Sequence, residues 1–240
     1  MKRTFFLAVF SVLFFSSCRE VFGKRIRGNG VTQAESRSVS QFSNIKVSGA
    51  IDVYVRQDSV SSVKVEADEN LQQYIMVEND GSTLDIYPKQ GVNLKPSKTI
   101  KVFVSAPAFS HFRASGACDI FSENKITSLE NIEINLSGAS DVKMEVKAPK
   151  VDASLSGAGT ITLKGETRDF EVDGSGSTDI KCYDLMAENT KVRLSGAGDA
   201  EVFASVNLDV RVSGAADVRY KGNATVSQHV SGAGSVKKVN

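Results

Sequence analysis

The sequence of 240 residues has no tryptophan, only two histidines, four prolines and three cysteines. It contains no His-Glu-x-x-His, Gly-x-Ser-x-Gly or Cys-x-x-Cys motif, so the signatures of zinc proteases, serine hydrolases and thioredoxin-like enzymes are missing. Its 29 basic and 28 acidic residues give a net charge of +1 without a basic block. We therefore expect no electrostatic capture of nucleic acid.

Cofactor signatures are also missing. Gly-Ala-Gly stretches begin at Gly157, Gly196 and Gly232, but neither a third spaced glycine nor a helical pattern follows, and a dinucleotide site needs both. His111 and His229 have no partner motif, so we interpret them as surface or structural residues. We expect no cofactor and no catalytic residue.

The N-terminus has the pattern of an export signal. Lys2 and Arg3 precede an apolar run that is too short to span a bilayer, and small residues then lead to Cys18. This pattern resembles a bacterial lipobox, which implies a lipoprotein signal peptide over residues 1–17 and a lipid on Cys18, with the membrane as a partner. We expect residues 18–40 to be the lipidated N-terminus and a linker. The alternative is an ordinary secretory signal with an incidental cysteine.

One short motif recurs through the remainder of the chain. Ser-Gly-Ala, or Ser-Gly-Ser once, recurs from residue 115 onward at steps of 18–22 residues, which is typical of stacked repeats. The Ser-Gly pairs are Ser48 and Gly49, Ser115 and Gly116, Ser137 and Gly138, Ser156 and Gly157, Ser175 and Gly176, Ser195 and Gly196, Ser213 and Gly214, and Ser231 and Gly232.

Apolar residues alternate with polar ones on both sides of each motif, and this period of two predicts half-buried strands. Each unit is then a strand, a tight corner and a second strand. An antiparallel meander would not align its corners in one column, whereas a solenoid would. The sequence therefore predicts an all-β, single-stranded, right-handed parallel β-helix with coils of 18–22 residues and Ser-Gly-Ala corners.

Two consequences follow from this register. The 67 residues from Ser48 to Ser115 leave room for about three further units without the motif. Cys118 and Cys182 lie three coils apart, roughly 14 Å at the usual strand spacing, which is beyond the reach of a disulfide. We therefore expect two free thiols, with Cys182 in the core.

An acidic residue commonly follows the corner serine by four positions. Asp179, Asp199 and Asp217 would lie on successive coils, where hard carboxylate oxygens could hold calcium. Basic residues two positions further on, among them Arg219, offer a structural explanation without metal. We prefer the structural interpretation and expect no metal, with calcium as the alternative.

The opening GNGVTQAESRSVSQFSNIKVSGAIDVYVRQ (residues 28–57) and the later APAFSHFRASGACDI (residues 106–120) carry a family resemblance. Together with the repeat, they resemble the putative auto-transporter adhesin, head GIN domain family of Bacteroidetes-type lipoproteins. The resemblance implies a head GIN-type β-helix domain over residues 41–240. It also implies a non-catalytic, exported protein of the cell envelope, such as an outer-membrane lipoprotein, that binds envelope or host glycans or proteins.

A carbohydrate-active β-helix enzyme, a lyase or a hydrolase, is the alternative function. A specific site is expected where the repeat fails, in the irregular region of residues 58–105. When the repeat units are aligned on their corner serines, the aromatic residues that could stack on a sugar are scattered, so the sequence predicts no ready-made sugar platform. The candidates are Tyr54, Tyr74, Tyr87, Phe121, Tyr183 and Tyr220.

Overall fold

The structure, a computed structural model, describes residues 23–239. Strands make up 73% of it and helix 3%, and the stacked parallel strands form a β-solenoid. The predicted all-β parallel solenoid is confirmed. Cys18 and the signal peptide lie outside the described residues. No helix within residues 23–239 is long and apolar enough to cross a membrane.

Eighteen strands and one short 3-10 helix, Glu69–Tyr74, build the fold. In chain order the strands are β1 Lys24–Arg27, β2 Thr32–Arg37, β3 Asn44–Gly49, β4 Ile51–Gln57, β5 Ser62–Asp68, β6 Ile75–Asp80, β7 Thr83–Pro88, β8 Val92–Lys95, β9 Ile100–Ala106, β10 His111–Gly116, β11 Ile120–Ser122, β12 Ile126–Thr127, β13 Ile132–Gly138, β14 Val142–Cys182, β15 Leu185–Phe203, β16 Asn207–Lys221, β17 Thr225–Gly232 and β18 Ser235–Lys238.

The glycines of the Ser-Gly-Ala corners form one continuous column along the solenoid. Each adopts a positive φ, between 86° and 132°, a conformation that glycine alone adopts without strain. The carbonyl of each glycine also points at the next corner: Gly116 O accepts the N–H of Ala139 at 2.7 Å. A Cβ on Gly138 would consequently lie 2.5 Å from Gly116 O, so both the backbone conformation and the available space require glycine.

The order of coils in space differs from their order in the chain. Strand β10 pairs in parallel with β3, which places Ser115 beside Ser48 and Gly116 beside Gly49. The expectation of about three intervening units was therefore wrong. The intervening chain instead makes β7 and β9, which lie on the other side of β3 and β4. The coil of β3 and β4 is therefore enclosed between two coils that both come later in the chain.

Antiparallel strands close the solenoid below β7 and β9. Strand β6 pairs antiparallel with β7, β5 with β9, and β2 with β5, so the base is a mixed sheet in addition to the predicted parallel stack. Residues 24–27 and 32–37, which were assigned to a linker, form β1 and β2. This part of the linker assignment was wrong because the segment is held by tertiary contacts that have no local sequence pattern.

Asp68 makes the contacts that hold this N-terminal segment. Its side chain is buried and accepts hydrogen bonds from Gly30 N at 2.8 Å, from Ser97 N at 2.8 Å and from Ser97 Oγ at 2.5 Å. A Cβ on Gly28 would lie 2.2 Å from Asp68 Oδ2. Asp68 therefore joins the Gly28–Gly30 segment to the loop after β8, and it leaves no space for a side chain at Gly28, whereas Gly30 is explained by its φ of 81°.

The core runs through the centre of the coils and is almost entirely aliphatic. The position five residues after each corner serine is buried in seven of the eight units and partly buried in the last, as the alternation predicted. Cys118 and Cys182 are buried and free, as expected. The core residues of this column are Val53, Ile120, Val142, Ile161, Ile180, Ala200, Val218 and Val236.

Replacing a glycine of the corner column tests the constraint that sets the coil. In Gly196→Ala, the new Cβ would lie 2.4 Å from Gly176 O at a φ of 121°, and we expect a loss of at least about 3 kcal/mol in the free energy of unfolding. Gly81→Ala is the matched control, since Gly81 has a φ of 59° and no atom within 4 Å; it should lose only about 1–2 kcal/mol. Urea denaturation of both variants measures the difference, and equal losses would contradict the argument.

Substitution of Asp68 has a pH-dependent effect. Burial opposes its charge, but the hydrogen bonds from Ser97 and Gly30 outweigh it and lower the pKa of Asp68. A lowered folded-state pKa stabilises the fold above the ordinary pKa of about 4, and this contribution is lost as the pH falls through the folded-state value. Asp68→Asn should therefore cost about 2–3 kcal/mol at pH 7 and progressively less below pH 4. A wild-type–variant difference that is constant across pH in denaturation curves would refute this role.

Candidate functional site

The corner serines lie side by side on successive coils and form a continuous, exposed column, which we call the serine ladder. Ser48, Ser115 and Ser137 lie side by side, and later corners continue the column. Only Ser137 Oγ makes a hydrogen bond among the described corner serines, and its acceptor is Ala114 O in the neighbouring coil at 3.4 Å. The repeated motif is therefore explained by the geometry of glycine, and the serine ladder has no feature of a catalytic site.

The acidic column bonds the backbone of neighbouring coils. Asp119 Oδ1 accepts the N–H of Asp141 at 3.1 Å, and Asp141 Oδ1 accepts the N–H of Thr160 at 2.7 Å. Near the end of the chain, Asp217 Oδ1 accepts both the N–H and the hydroxyl of Ser235, at 2.8 and 2.7 Å. These bonds use carboxylate oxygens in the way that the structural interpretation requires.

The proposed calcium column is arranged as expected but does not form a metal cluster. Asp179, Asp199 and Asp217 occupy the same position on successive coils. Arg219 Nη1 lies 3.5 Å from Asp199 Oδ2 and 3.7 Å from Glu201 Oε1, which offsets part of the negative charge. Within residues 23–239, no group of three or more His, Cys, Asp or Glu side chains could hold a metal ion. The calcium alternative gains no support from this geometry.

The pKa values of the acidic column are shifted in opposite directions at its two ends. Burial, reinforced by the neighbouring Asp119, raises the pKa of Asp52, and burial also raises the pKa of Asp119. The hydrogen bond from the Ser235 hydroxyl lowers the pKa of Asp217. Two recesses on the outer surface are described in the following paragraphs, and neither Asp52 nor Asp119 lines them. The shifts of their pKa values therefore result from packing within the column and do not indicate a candidate acid–base pair.

The surroundings of the two thiols and of His111 indicate structural roles. Complete burial raises the pKa of Cys182 to about 12, and burial also raises the pKa of Cys118, which leaves both in the unreactive protonated form. His111 Nδ1 lies 3.0 Å from Asn44 Oδ1, and its Nε2 lies 3.2 Å from Glu133 Oε2. His229 is exposed.

Aromatic side chains that seemed scattered in the sequence form a stack on the outside of the solenoid. The ring centroids of Tyr54 and Phe103 are 5.1 Å apart, and those of Tyr54 and Phe121 are 5.2 Å apart. The interpretation that these residues are scattered was therefore wrong for Tyr54 and Phe121. The sequence signal was present, because Tyr54 and Phe121 both lie six residues after a corner serine, but it needed the direct stacking of Ser48 against Ser115.

A recess opens at one end of this aromatic stack. It measures about 330 Å³ and is lined by Phe121 together with charged residues of the following coils. We call it the front recess. Its outward column contains Phe121, Lys143, Thr162 and Lys181, and the short side chain of Thr162 leaves space between the two lysines. Its other lining residues are Ser122, Glu123, Asn124, Met144, Glu145, Leu163, Lys164 and Asp184.

A second recess, of about 550 Å³, lies along another edge of the coils, and we call it the apolar groove. Leu129 at its end is 94% exposed and Met186 is 44% exposed, which is unusual for large apolar side chains beside a recess. The small residues Ala148 and Ala187 are buried in its floor. The groove is lined by Thr127, Ser128, Leu129, Lys147, Ala148, Pro149, Glu166, Thr167, Arg168, Met186, Ala187, Glu188, Phe203 and Ser205.

Charges beside the apolar groove neutralise one another. Lys147 Nζ lies 3.0 Å from Glu166 Oε2, and Arg168 Nε lies 2.8 Å from Asp169 Oδ2. The proximity of Glu188 to Arg168 adds to this compensation. The groove therefore offers apolar surface without an excess of either charge, which suits an uncharged, aliphatic partner.

These features define a β-solenoid with a repetitive scaffold and recesses on its outer surface. The chain belongs to the family described as "Putative auto-transporter adhesin, head GIN domain", whose model matches residues 41–224. This confirms the resemblance found in the sequence. No curated protein matches the chain.

Solved structures of bacterial proteins have the same fold. A putative adhesin from Bacteroides fragilis has a TM-score of 0.85 at 22% identity, covering 89% of this chain and 100% of its own. A putative lipid binding protein from Parabacteroides distasonis has a TM-score of 0.74 at 26% identity, with coverages of 90% and 100%. A putative adhesin from Parabacteroides merdae has a TM-score of 0.71 at 23% identity, with coverages of 90% and 100%. Neither the family nor these structures support the carbohydrate-active enzyme alternative.

Proposed function

We propose that the protein is a non-catalytic adhesin, exported to the cell envelope and anchored in the outer membrane by lipid on Cys18. The apolar groove is the surface that engages a partner, and it takes an acyl chain. The observation that carries this proposal is the exposure of Leu129 and Met186 beside a groove of about 550 Å³. Large apolar side chains exposed together mark interaction surfaces.

Three further observations support this function. The family is adhesin-like, and a structural relative of 26% identity is described as a putative lipid binding protein. The charges beside the groove are paired, so an uncharged chain can enter without leaving a buried charge uncompensated. The two carboxyl groups with raised pKa lie outside the groove, as expected for a binding surface without an acid–base pair.

Substitution of the exposed apolar residues tests the groove. Leu129→Asp combined with Met186→Glu should weaken binding of an uncharged fluorescent long-chain alcohol at least tenfold, because each substitution replaces apolar contact area with charge. The protein used is the soluble chain beginning at residue 23, and fluorescence titration measures the affinity. Val31→Asp is the matched control, since Val31 is 56% exposed and lies outside the groove. Equal affinities in the two variants, or no binding by the wild type, would rule out this use of the groove.

Membrane anchoring is tested separately in cells that express the full chain. Metabolic labelling with an alkyne fatty acid should mark the wild type, and the protein should fractionate with the outer membrane. Cys18→Ser should abolish both the label and the membrane association, because the thiol that carries the lipid is gone. Persistent labelling of Cys18→Ser would place any lipid elsewhere, and an unlabelled wild type would favour an ordinary secretory signal.

A further inference from the structure

We infer that the front recess is a second binding site, specific for a neutral saccharide, in which Phe121 supplies the stacking surface. The recess lies outside the apolar groove, and the two share no lining residue. The inference therefore does not depend on the acyl-binding role of the groove.

The aromatic stack ends at Phe121, and this side chain lines the front recess. The faces of Tyr54 are occupied by Phe103 and Phe121. At the lower end, Lys64 Nζ lies 4.8 Å from the centroid of Phe103. At the upper end, no lysine or arginine of the described chain lies over the ring of Phe121. One face of Phe121 contacts Tyr54, and on its other side the register places Lys143 beside it. Since the Lys143 ammonium does not lie over the ring and both side chains line the recess, Phe121 supplies apolar surface beside Lys143.

Polar groups around Phe121 are free to bind hydroxyls. Lys143 and Lys181 are exposed, and neither forms an ion pair within residues 23–239; the same holds for Glu123 and Asp184. Two lysines and two carboxylates supply both donors and acceptors, which is the combination that sugar hydroxyls require. Glu145 differs, because Lys164 and Lys125 pair with it at 3.0 and 3.2 Å.

The balance of charge identifies the class of saccharide. The free groups of the recess carry two positive and two negative charges, so an acidic sugar would gain from the lysines but would be repelled by Glu123 and Asp184. An uncharged sugar can bond to all four groups. The volume of about 330 Å³ is at the lower end of the range of small-molecule sites, about 300–1,000 Å³, which fits a short part of an oligosaccharide.

Binding of short oligosaccharides by the full chain in detergent tests the site. The probes are neutral tetramers of glucose, xylose and mannose, with oligogalacturonate of equal length as the acidic comparison. We expect at least one neutral tetramer to bind, with affinity reduced at least tenfold in Phe121→Leu and in Lys181→Met. Lys237→Met is the matched control, because Lys237 occupies the same outward column at the end of the stack; its affinity should remain within twofold of the wild type.

Three results would overturn the assignment of a saccharide site. They are the absence of binding to any neutral tetramer, a preference for oligogalacturonate, and affinities of Phe121→Leu and Lys181→Met equal to that of the wild type. If Phe121→Leu lowers the melting temperature, Lys181→Met decides, since that side chain is exposed and forms no ion pair in the described structure. The groove variant Leu129→Asp/Met186→Glu should bind the sugar normally, and a loss there would place the sugar outside the front recess. Release of shorter sugars would instead contradict the non-catalytic function.

Discussion

The hydrogen bond from the corner alanine of one coil to the corner glycine carbonyl of the coil beneath it is the constraint on which this solenoid depends. It brings Ala139 N within 2.7 Å of Gly116 O and leaves no space for a Cβ on Gly138. Each coil must then bend at the same point and in the same conformation as its neighbour. The strands that follow are brought into register, and their alternate side chains fill one aliphatic core.

Because the corner repeats so strictly, the recesses arise from local differences in side-chain size. A short residue in an outward column opens a recess, as Thr162 does between Lys143 and Lys181. Small core residues, Ala148 and Ala187, have a similar effect beneath the apolar groove. An aromatic stack forms where neighbouring coils place rings at the same position. The two recesses are thus local departures from a uniform scaffold.

Sequence periodicity was sufficient for the regular coils because contacts there join residues 18–22 positions apart with identical roles. It failed at the base, where Asp68 bonds Gly30 and Ser97 across the fold, and it missed β1 and β2 for the same reason. The aromatic stack was also missed: Phe103 lies in a segment without the corner motif, and only the enclosure of β4 between β9 and β11 aligns Phe103, Tyr54 and Phe121.

The sequence by itself determined the strand alternation, the corner positions, the parallel stacking of later coils and the free state of Cys118 and Cys182. Those properties follow from residue spacing and from the conformational freedom of glycine. Only the tertiary structure decided which coil lies beside Ser48, how the base is closed and where the front recess and the apolar groove lie. These features arise from contacts between segments with unlike sequences, and such contacts produce no periodic pattern in the sequence.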